Sequence, residues 1–167
     1  RGNNVVPLYQ FLLGRPPTNG EVATGVADLR ARHANDALTA KLLASDEGYA
    51  LHSEGATPLE RDTSWLAWAY ARILDRAPDP HGQAFFLGYF APSGSTATQR
   101  AKVAMGLERS RSNALSWVRA SLAEGLGRTP DRVGESYWLQ WLTGPTGRWR
   151  TFRMWTLILA SDEAYRR

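Results

Sequence analysis

The sequence predicts an all-α fold, and three observations carry that reading. With Arg15, Arg76 and Arg128 set in register, an apolar triplet falls ten, six and two residues before each arginine: Val5, Tyr9, Leu13; Leu66, Tyr70, Leu74; Val118, Leu122, Leu126. The i, i+4, i+8 spacing lays a stripe along one face of a helix, without the alternation of a strand. Two residues after each arginine stands Pro17, Pro78 or Pro130. A helix must stop there, because proline cannot continue the hydrogen-bond ladder and restricts the residue before it. A third apolar-periodic run then closes each stretch: Leu38 to Ala44, Ala101 to Leu107 and Phe152 to Ala160. The recurrence predicts one helical domain over 1–167, written as three degenerate units, 1–53, 64–115 and 116–167. Units of about 50 residues are too small to bury a face alone, so the three are expected to fold together.

In chain order, residues 1–14 read as the first helix, ending near Gly14-Arg15. Thr18 can accept from the free amides of the next helix start, as can Asp79 and Asp131 in the later copies. That next helix, Glu21 to His33, carries Gly25 and few large apolar residues, which predicts a peripheral element. Ser45-Asp46-Glu47-Gly48-Tyr49 matches Ser161-Asp162-Glu163-Ala164-Tyr165, and each suits the start of a short helix, where the helix dipole favours acids. Residues 53–63 are rich in turn formers and charge and read as a connector and hinge.

A new helix is expected from Ser64, with Trp65, Trp68, Ala69, Tyr70 and Ile73 covering much of its circumference, hence central. Asp79-Pro80 suits an N-cap followed by proline at the first helical position. The helix Gly82 to Phe90 follows, with Phe85 and Phe86 three and four residues past the glycine. Ala91 to Ser95 is a loop, and Ser110-Arg111-Ser112 replaces the acidic closing motif. The third unit starts at Ser116-Trp117, with its first helix interrupted by Gly125 and Gly127. Tyr137 and Trp138 repeat the aromatic pair after Gly134. The last helix, Arg148 to Ala160, is apolar on nearly all sides and reads as buried. The first copy is one residue shorter between Pro17 and Gly20 and lacks the aromatic pair, as terminal repeats often do.

Composition bounds the function. Hydrophobic residues make up 43% of the chain and include seven tryptophans, which argues against disorder. No apolar run reaches the roughly 18 to 20 residues that cross a bilayer, so membrane insertion is not expected. There is no cysteine, which removes disulfides, thiolate metal sites and cysteine nucleophiles. The net charge of +4 comes with eighteen arginines and two lysines. Arg100, Arg109, Arg111 and Arg119 are spread around helices or stand next to acids, which reads as a solvated surface rather than a nucleic-acid stripe.

Read as Leu-x-x-x-x-Leu-Leu-Gly-Arg-x-Pro-Asp-x-x-Gly-x-x-Tyr-Trp, closing in Ser-x-Glu-Tyr, the pattern resembles the short repeat of a bacterial family of unknown function. This chain spells it over Tyr9 to Gly20, Tyr70 to Phe86 and Leu126 to Trp138. The resemblance implies a non-catalytic unit of large secreted or surface-attached proteins, among them calcium-dependent toxin-like repeat proteins and adhesins. It thus implies an extracellular or cell-surface location and, as partner, a protein or a glycan at a bacterial surface.

Candidate sites follow from residue type. Asp79-Pro80-His81-Gly82 invites a calcium turn or a histidine base, but one visible carboxylate falls short of a calcium loop and no nucleophile stands near His81, so an N-capping turn is favoured. His33 and His52 stand alone and read as surface residues rather than metal ligands. No metal or cofactor is expected. The recurring Arg15, Arg76 and Arg128, with Asp79, Asp131, Gly82 and Gly134, form a structural motif; Arg15 and Arg128 are expected to fork onto the closing acids Glu47 and Glu163. Tyr137, Trp141 and Trp149 beside Arg148 and Arg150 are either core or a stacking platform for a ligand. The reading is a non-catalytic interaction or structural module; the alternative is a carbohydrate-binding module using those aromatics and arginines. Distant carboxylates meeting in space would leave glycoside hydrolysis open.

Overall fold

A computed structural model describes residues 5–32, 35–143, 154, 157 and 158, and over these residues the fold is all-α. The helices are α1 (Val5–Leu13), α2 (Asn19–Arg32), α3 (Asn35–Ala44), α4 (Asp46–His52), α5 (Pro58–Leu74), α6 (Pro80–Leu87), α7 (Ala97–Glu108), α8 (Arg111–Leu126) and α9 (Arg132–Thr143). They fall into two compact units, Arg1–Glu108 and Arg109–Arg167. None of the described helices is long and apolar enough to cross a membrane.

Nearly every helix start is written in local side-chain chemistry. Ser45, Asp79, Ser110 and Asp131 accept from the amides of Gly48, Gly82, Asn113 and Gly134 at 3.0, 2.9, 3.1 and 2.7 Å. Thr18 with Glu21, Thr57 with Glu60 and Thr96 with Gln99 close reciprocal boxes, each threonine accepting from the third amide at 3.3 Å. The Glu or Gln side chain accepts in return from the threonine amide at 2.7, 2.9 and 2.9 Å. A cap of this kind contributes roughly 1 kcal/mol.

Those caps correct two expected boundaries. Helix α5 begins at Pro58 rather than Ser64, because Thr57 and Glu60 form a capping box with proline at the first turn. Most of the expected hinge is therefore helix, and Ser64 lies inside it, directed at the His52 carbonyl. Helix α8 starts at the Ser110 cap and runs unbroken to Leu126, so no boundary falls at Ser116-Trp117 and Gly125 does not interrupt it. No glycine or proline stands between the Ser110 cap and that point. Three helices end alike: Gly14, Asp75 and Gly127, each directly before the recurring arginine, are left-handed at φ 67°, 52° and 54°.

In the first unit, Val5, Leu12, Leu13, Leu38 and Leu43 pack around Ala104 of α7. Trp65, Leu66, Ala69, Tyr70 and Leu74 of α5 pack with Val103 and Leu107 of the same helix. Helix α7 therefore serves both clusters. Trp65 is fully buried, and its indole N–H donates to the Leu43 carbonyl at 2.9 Å, tying α5 to α3. Helix α2 is less peripheral than expected: Gly25 is buried, and a Cβ there would stand 2.9 Å from a Val5 methyl. The glycine marks a close helix approach, and Val26 and Leu29 pack onto the core beside it.

Two polar residues are also placed against expectation. Arg100 is 2% exposed rather than solvated. Its guanidinium donates to the Ala44 and Ser95 carbonyls at 3.1 and 2.7 Å and to Asp46 at 2.6 Å, and stands 4.2 Å over the Tyr49 ring. Next to it, buried Asp62 accepts from the Tyr49 hydroxyl at 2.9 Å and from the Ser95 hydroxyl at 2.5 Å. The burial of Arg100 escapes a reading of the sequence because its partners Asp46 and Ala44 are 54 and 56 residues away. His52 is half-buried rather than isolated: it lies flat on Trp68 at 3.8 Å and contacts the Leu12 carbonyl through Nε2 at 3.0 Å. Arg109, Arg111 and Arg119 are exposed, as expected, while His33 lies outside the described residues.

In the second unit, Val118, Leu122 and Leu126 of α8 pack with Met154 and Ile158, and Trp138 and Leu142 of α9 close over them. Arg119 pairs with Glu135 at 2.6 Å. Of the expected last helix, Met154 and Ile158 are helical and buried; most of its other residues lie outside the described ones.

Arg100→Met is expected to destabilise the protein by about 2 to 4 kcal/mol, since two buried carbonyls lose their donor. Asp46 is 91% exposed in its side chain. Asp46→Asn should therefore cost about 1 kcal/mol or less. Urea denaturation of both variants checks the difference. Asp75→Gly should stabilise by up to about 1 kcal/mol, because a left-handed backbone is penalised for a residue with a Cβ.

Candidate functional site

The structural motif sits at three helix-to-helix turns with one local plan: a left-handed residue, the arginine, the Pro17, Pro78 or Pro130 stop, then a cap that opens the next helix. Arg15 makes the fullest use of it. Its Nε and Nη2 donate to the two Glu47 carboxylate oxygens at 2.5 and 2.7 Å, the fork expected from the sequence. A second fork reaches Glu21, with Nη1 at 3.0 Å and Nη2 at 2.8 Å. The guanidinium also stands 5.4 Å from the Tyr9 ring centre. These bonds hold the guanidinium firmly protonated, Glu47 contributing most and Glu21 next. Arg15, and after it the Thr18 amide, pull the Glu21 carboxyl down from 4.5 to about 2. Glu47 is lowered by the same arginine.

Arg76 has a smaller set of partners. It donates to the Ala77 carbonyl at 3.1 Å and to Asp79 at 3.4 Å, and stands 5.3 Å over the Tyr70 ring. Arg128 donates to the Thr129 carbonyl at 3.5 Å, and its expected partner Glu163 lies outside the described residues. Asp79 is held below the usual carboxylate range, first by the Gly82 amide. Its oxygens serve the cap and Arg76, and His81 beside it is exposed. Among the described residues no group of three or more His, Asp or Glu side chains is placed to hold a metal ion.

The glycines of the motif differ in surroundings. A Cβ on Gly82 would lie 2.6 Å from the Tyr70 hydroxyl, so the phenol fills the space above that glycine. Around the same point on Gly134, among the described residues, stand Asp131 Oδ1 at 3.2 Å and Pro130 at 3.9 Å. Leu122 occupies the register position of Tyr70, and a cavity of about 160 Å³ opens beside it. It is lined by Leu122, Leu126, Trp138 and Ile158, with Arg128 and Asp131 among its walls. Sequence reasoning missed this cavity, although the signal was present in the register: tyrosine, tyrosine, leucine.

The aromatic pairs divide their roles. Phe86 packs on the α5 core while Phe85 is 54% exposed, the two rings meeting edge to face at 5.1 Å and 79°. Trp138 packs on the α8 core while Tyr137 is 61% exposed, at 5.2 Å and 78°. Tyr89, also exposed, extends the first pair at 5.4 Å from Phe85. Of the expected ligand groove, Tyr137 is solvent-facing; Arg148, Trp149, Arg150 and the Trp141 side chain lie outside the described residues. A second cavity, of about 240 Å³ and lined by Leu59, Asp62, Leu87, Phe90 and Pro92, lies in the first unit.

Compared with known proteins, the chain matches no family model, no curated protein and no solved structure.

The Arg15 clamp predicts an acid-sensitive contribution to stability. A depressed carboxylate stabilises the folded state fully above its unfolded value, and the contribution is lost as pH falls through the folded value. For Glu21 that window runs from 4.5 down to about 2. Glu21→Gln should therefore be less stable than the parent chain at pH 5 and converge with it toward pH 2, as read by denaturant midpoints across the series.

Proposed function

We propose that this chain is a non-catalytic interaction or structural module of a bacterial extracellular or cell-surface protein, assembled from three degenerate helical repeats. The observation that carries the reading is the division of the aromatic pair: at one offset from the motif glycine, Phe85 and Tyr137 face solvent while Phe86 and Trp138 anchor them. An outward ring braced by a buried neighbour loses little freedom on docking, and aromatic residues are enriched where proteins bind. The repeat reading is supported by the recurrence of the left-handed residue, arginine and capped helix start. The cellular location rests on the sequence resemblance alone.

Nucleic acid is a poor fit as a partner, because Arg100 is buried and Arg15, Arg76 and Arg119 are engaged by carboxylates. Among the described residues, what remains is not the clustered basic stripe that tracks phosphates. Glycan recognition is the alternative, favoured by the exposed Tyr137 ring, with Trp141, Trp149, Arg148 and Arg150 completing the groove.

A photo-crosslinking residue placed at Phe85 or Tyr137 in the full chain is expected to capture a protein from bacterial surface extracts, while a glycan array in calcium and in chelator stays blank. Absence of crosslinks at both positions would count against the reading. A glycan hit lost in Tyr137→Ala would move the chain to the carbohydrate-binding class. Both alanine variants should keep their stability within about 0.5 kcal/mol, as exposed positions do.

A further inference from the structure

We propose that the cavity bordered by Asp62 is a binding site for an aliphatic primary ammonium group, with Asp62 as its counter-charge. The inference goes beyond the module reading and does not depend on it. Asp62 is the one buried acid among the described residues, at 2% exposure, and among them it makes no ion pair. A buried charge is costly unless it is paired. Its Oδ1 is fully used, accepting from the Tyr49 hydroxyl at 2.9 Å, the Ser95 hydroxyl at 2.5 Å and the Ser95 amide at 3.3 Å. Arg100 reaches that oxygen through the Ser95 hydroxyl, 3.3 Å from Nη1, and is itself paired with Asp46 at 2.6 Å. Oδ2 accepts from none of the described residues. It is not sealed in, since the sealed polar side-chain atom without a partner among those residues is the Trp68 indole nitrogen; Oδ2 opens onto the cavity.

The rest of the wall suits the chain that would carry such a group. Leu59 stands three residues before Asp62 on α5, so the two share a helix face. Leu87 at the end of α6 and Phe90, Ala91 and Pro92 of the following turn complete the lining, and Leu59 and Pro92 are exposed at the mouth. That turn is held in place. The Gly94 amide donates to the Ala91 carbonyl at 2.9 Å, Gln99 Nε2 donates to the Tyr89 carbonyl at 2.8 Å, and the Phe90 ring meets Trp65 edge to face at 5.9 Å. Walls fixed before a ligand arrives lower the cost of binding it. A methylene chain therefore meets apolar walls, and its charged end meets one carboxylate oxygen. The single free oxygen selects the head group. A guanidinium matches a carboxylate by forking onto both oxygens, whereas an ammonium is a compact charge that one oxygen can serve. A neutral alcohol would donate to Oδ2 and leave its charge unbalanced.

The test is titration of the full chain at neutral pH with n-hexylammonium chloride, read by calorimetry and ligand-observed NMR. The alcohol n-hexanol, n-hexylguanidinium and Nα-acetyl-lysine methylamide are run in parallel. Saturable binding of n-hexylammonium is expected in the high-micromolar to millimolar range appropriate to so few atoms, with the alcohol and the guanidinium each about fivefold weaker or more. Asp62→Asn keeps an oxygen for Tyr49 and Ser95 and removes the charge, and should lower n-hexylammonium affinity about tenfold or more in protein whose melting curve shows it folded. Leu59→Lys, at a position 65% exposed, keeps Asp62 and tethers an ammonium three residues from it, and should weaken binding in the same way. That variant carries the test if Asp62→Asn does not fold. Glu54→Gln removes an exposed acid outside the cavity and should bind as the parent chain does. Binding of the lysine amide names a partner's lysine as the source of the ammonium; its absence beside n-hexylammonium binding names a free amine. No saturable binding of either ammonium, binding of the alcohol or the guanidinium as tight as that of n-hexylammonium, or binding unchanged in a folded Asp62→Asn or in Leu59→Lys would each overturn the assignment. None of these results bears on crosslinking at Phe85 and Tyr137, so failure of the cavity and failure of the module reading are told apart.

Discussion

The first unit depends on one buried cation. Arg100 on α7 holds carbonyls at the end of α3 and in the loop before α7, caps its charge with Asp46 at the start of α4, and lies over the Tyr49 ring. Ser95 bridges it to Asp62 of α5, which the Tyr49 hydroxyl also serves. Five segments that share no local signal are thus held by one connected set of polar groups. Burying a guanidinium is costly unless its donors are matched, and here they meet two carbonyls, a hydroxyl and a carboxylate. The apolar clusters on either side of α7 supply most of the driving force; the Arg100 set restricts how those clusters can be joined.

The recurring turn shows how one local plan serves different ends. A left-handed residue ends the helix, the arginine in the first two copies turns back over the tyrosine six residues earlier, proline prevents continuation, and a capping side chain opens the next helix. At Arg15 the turn is clamped by two carboxylates; at Arg76 it is closed by the cap itself; at Arg128 it borders a cavity lined by Leu122 and Trp138. Because backbone and caps carry the turn, the side chain beneath the arginine is free to vary without loss of the fold.

The exposed rings make the same separation at the surface. Phe85 and Tyr137 are placed by buried neighbours and contribute little to the cores themselves. Their position reflects packing beneath them.

Much of the helical plan was legible in sequence because it is local. The apolar stripes, the proline stops and the Ser45, Asp79 and Asp131 caps act within four residues, and their chemistry is the same in any fold. The misplaced starts of α5 and α8 were local too: Thr57 to Glu60 is a capping box overlooked among turn formers. The Arg15 fork onto Glu47 spans 32 residues and was still legible, because two matching motifs co-occurred. What only the tertiary structure decided is which side chains meet across longer gaps. Arg100 looks like any surface arginine, His52 like an isolated histidine and Gly25 like a weak point in a helix, until the end of α3, α4 and the loop before α7 close around the first, Trp68 lies against the second and Val5 against the third. Helices are specified by neighbours in the chain; burial and cavities are specified by neighbours in space, which the order of residues does not by itself reveal.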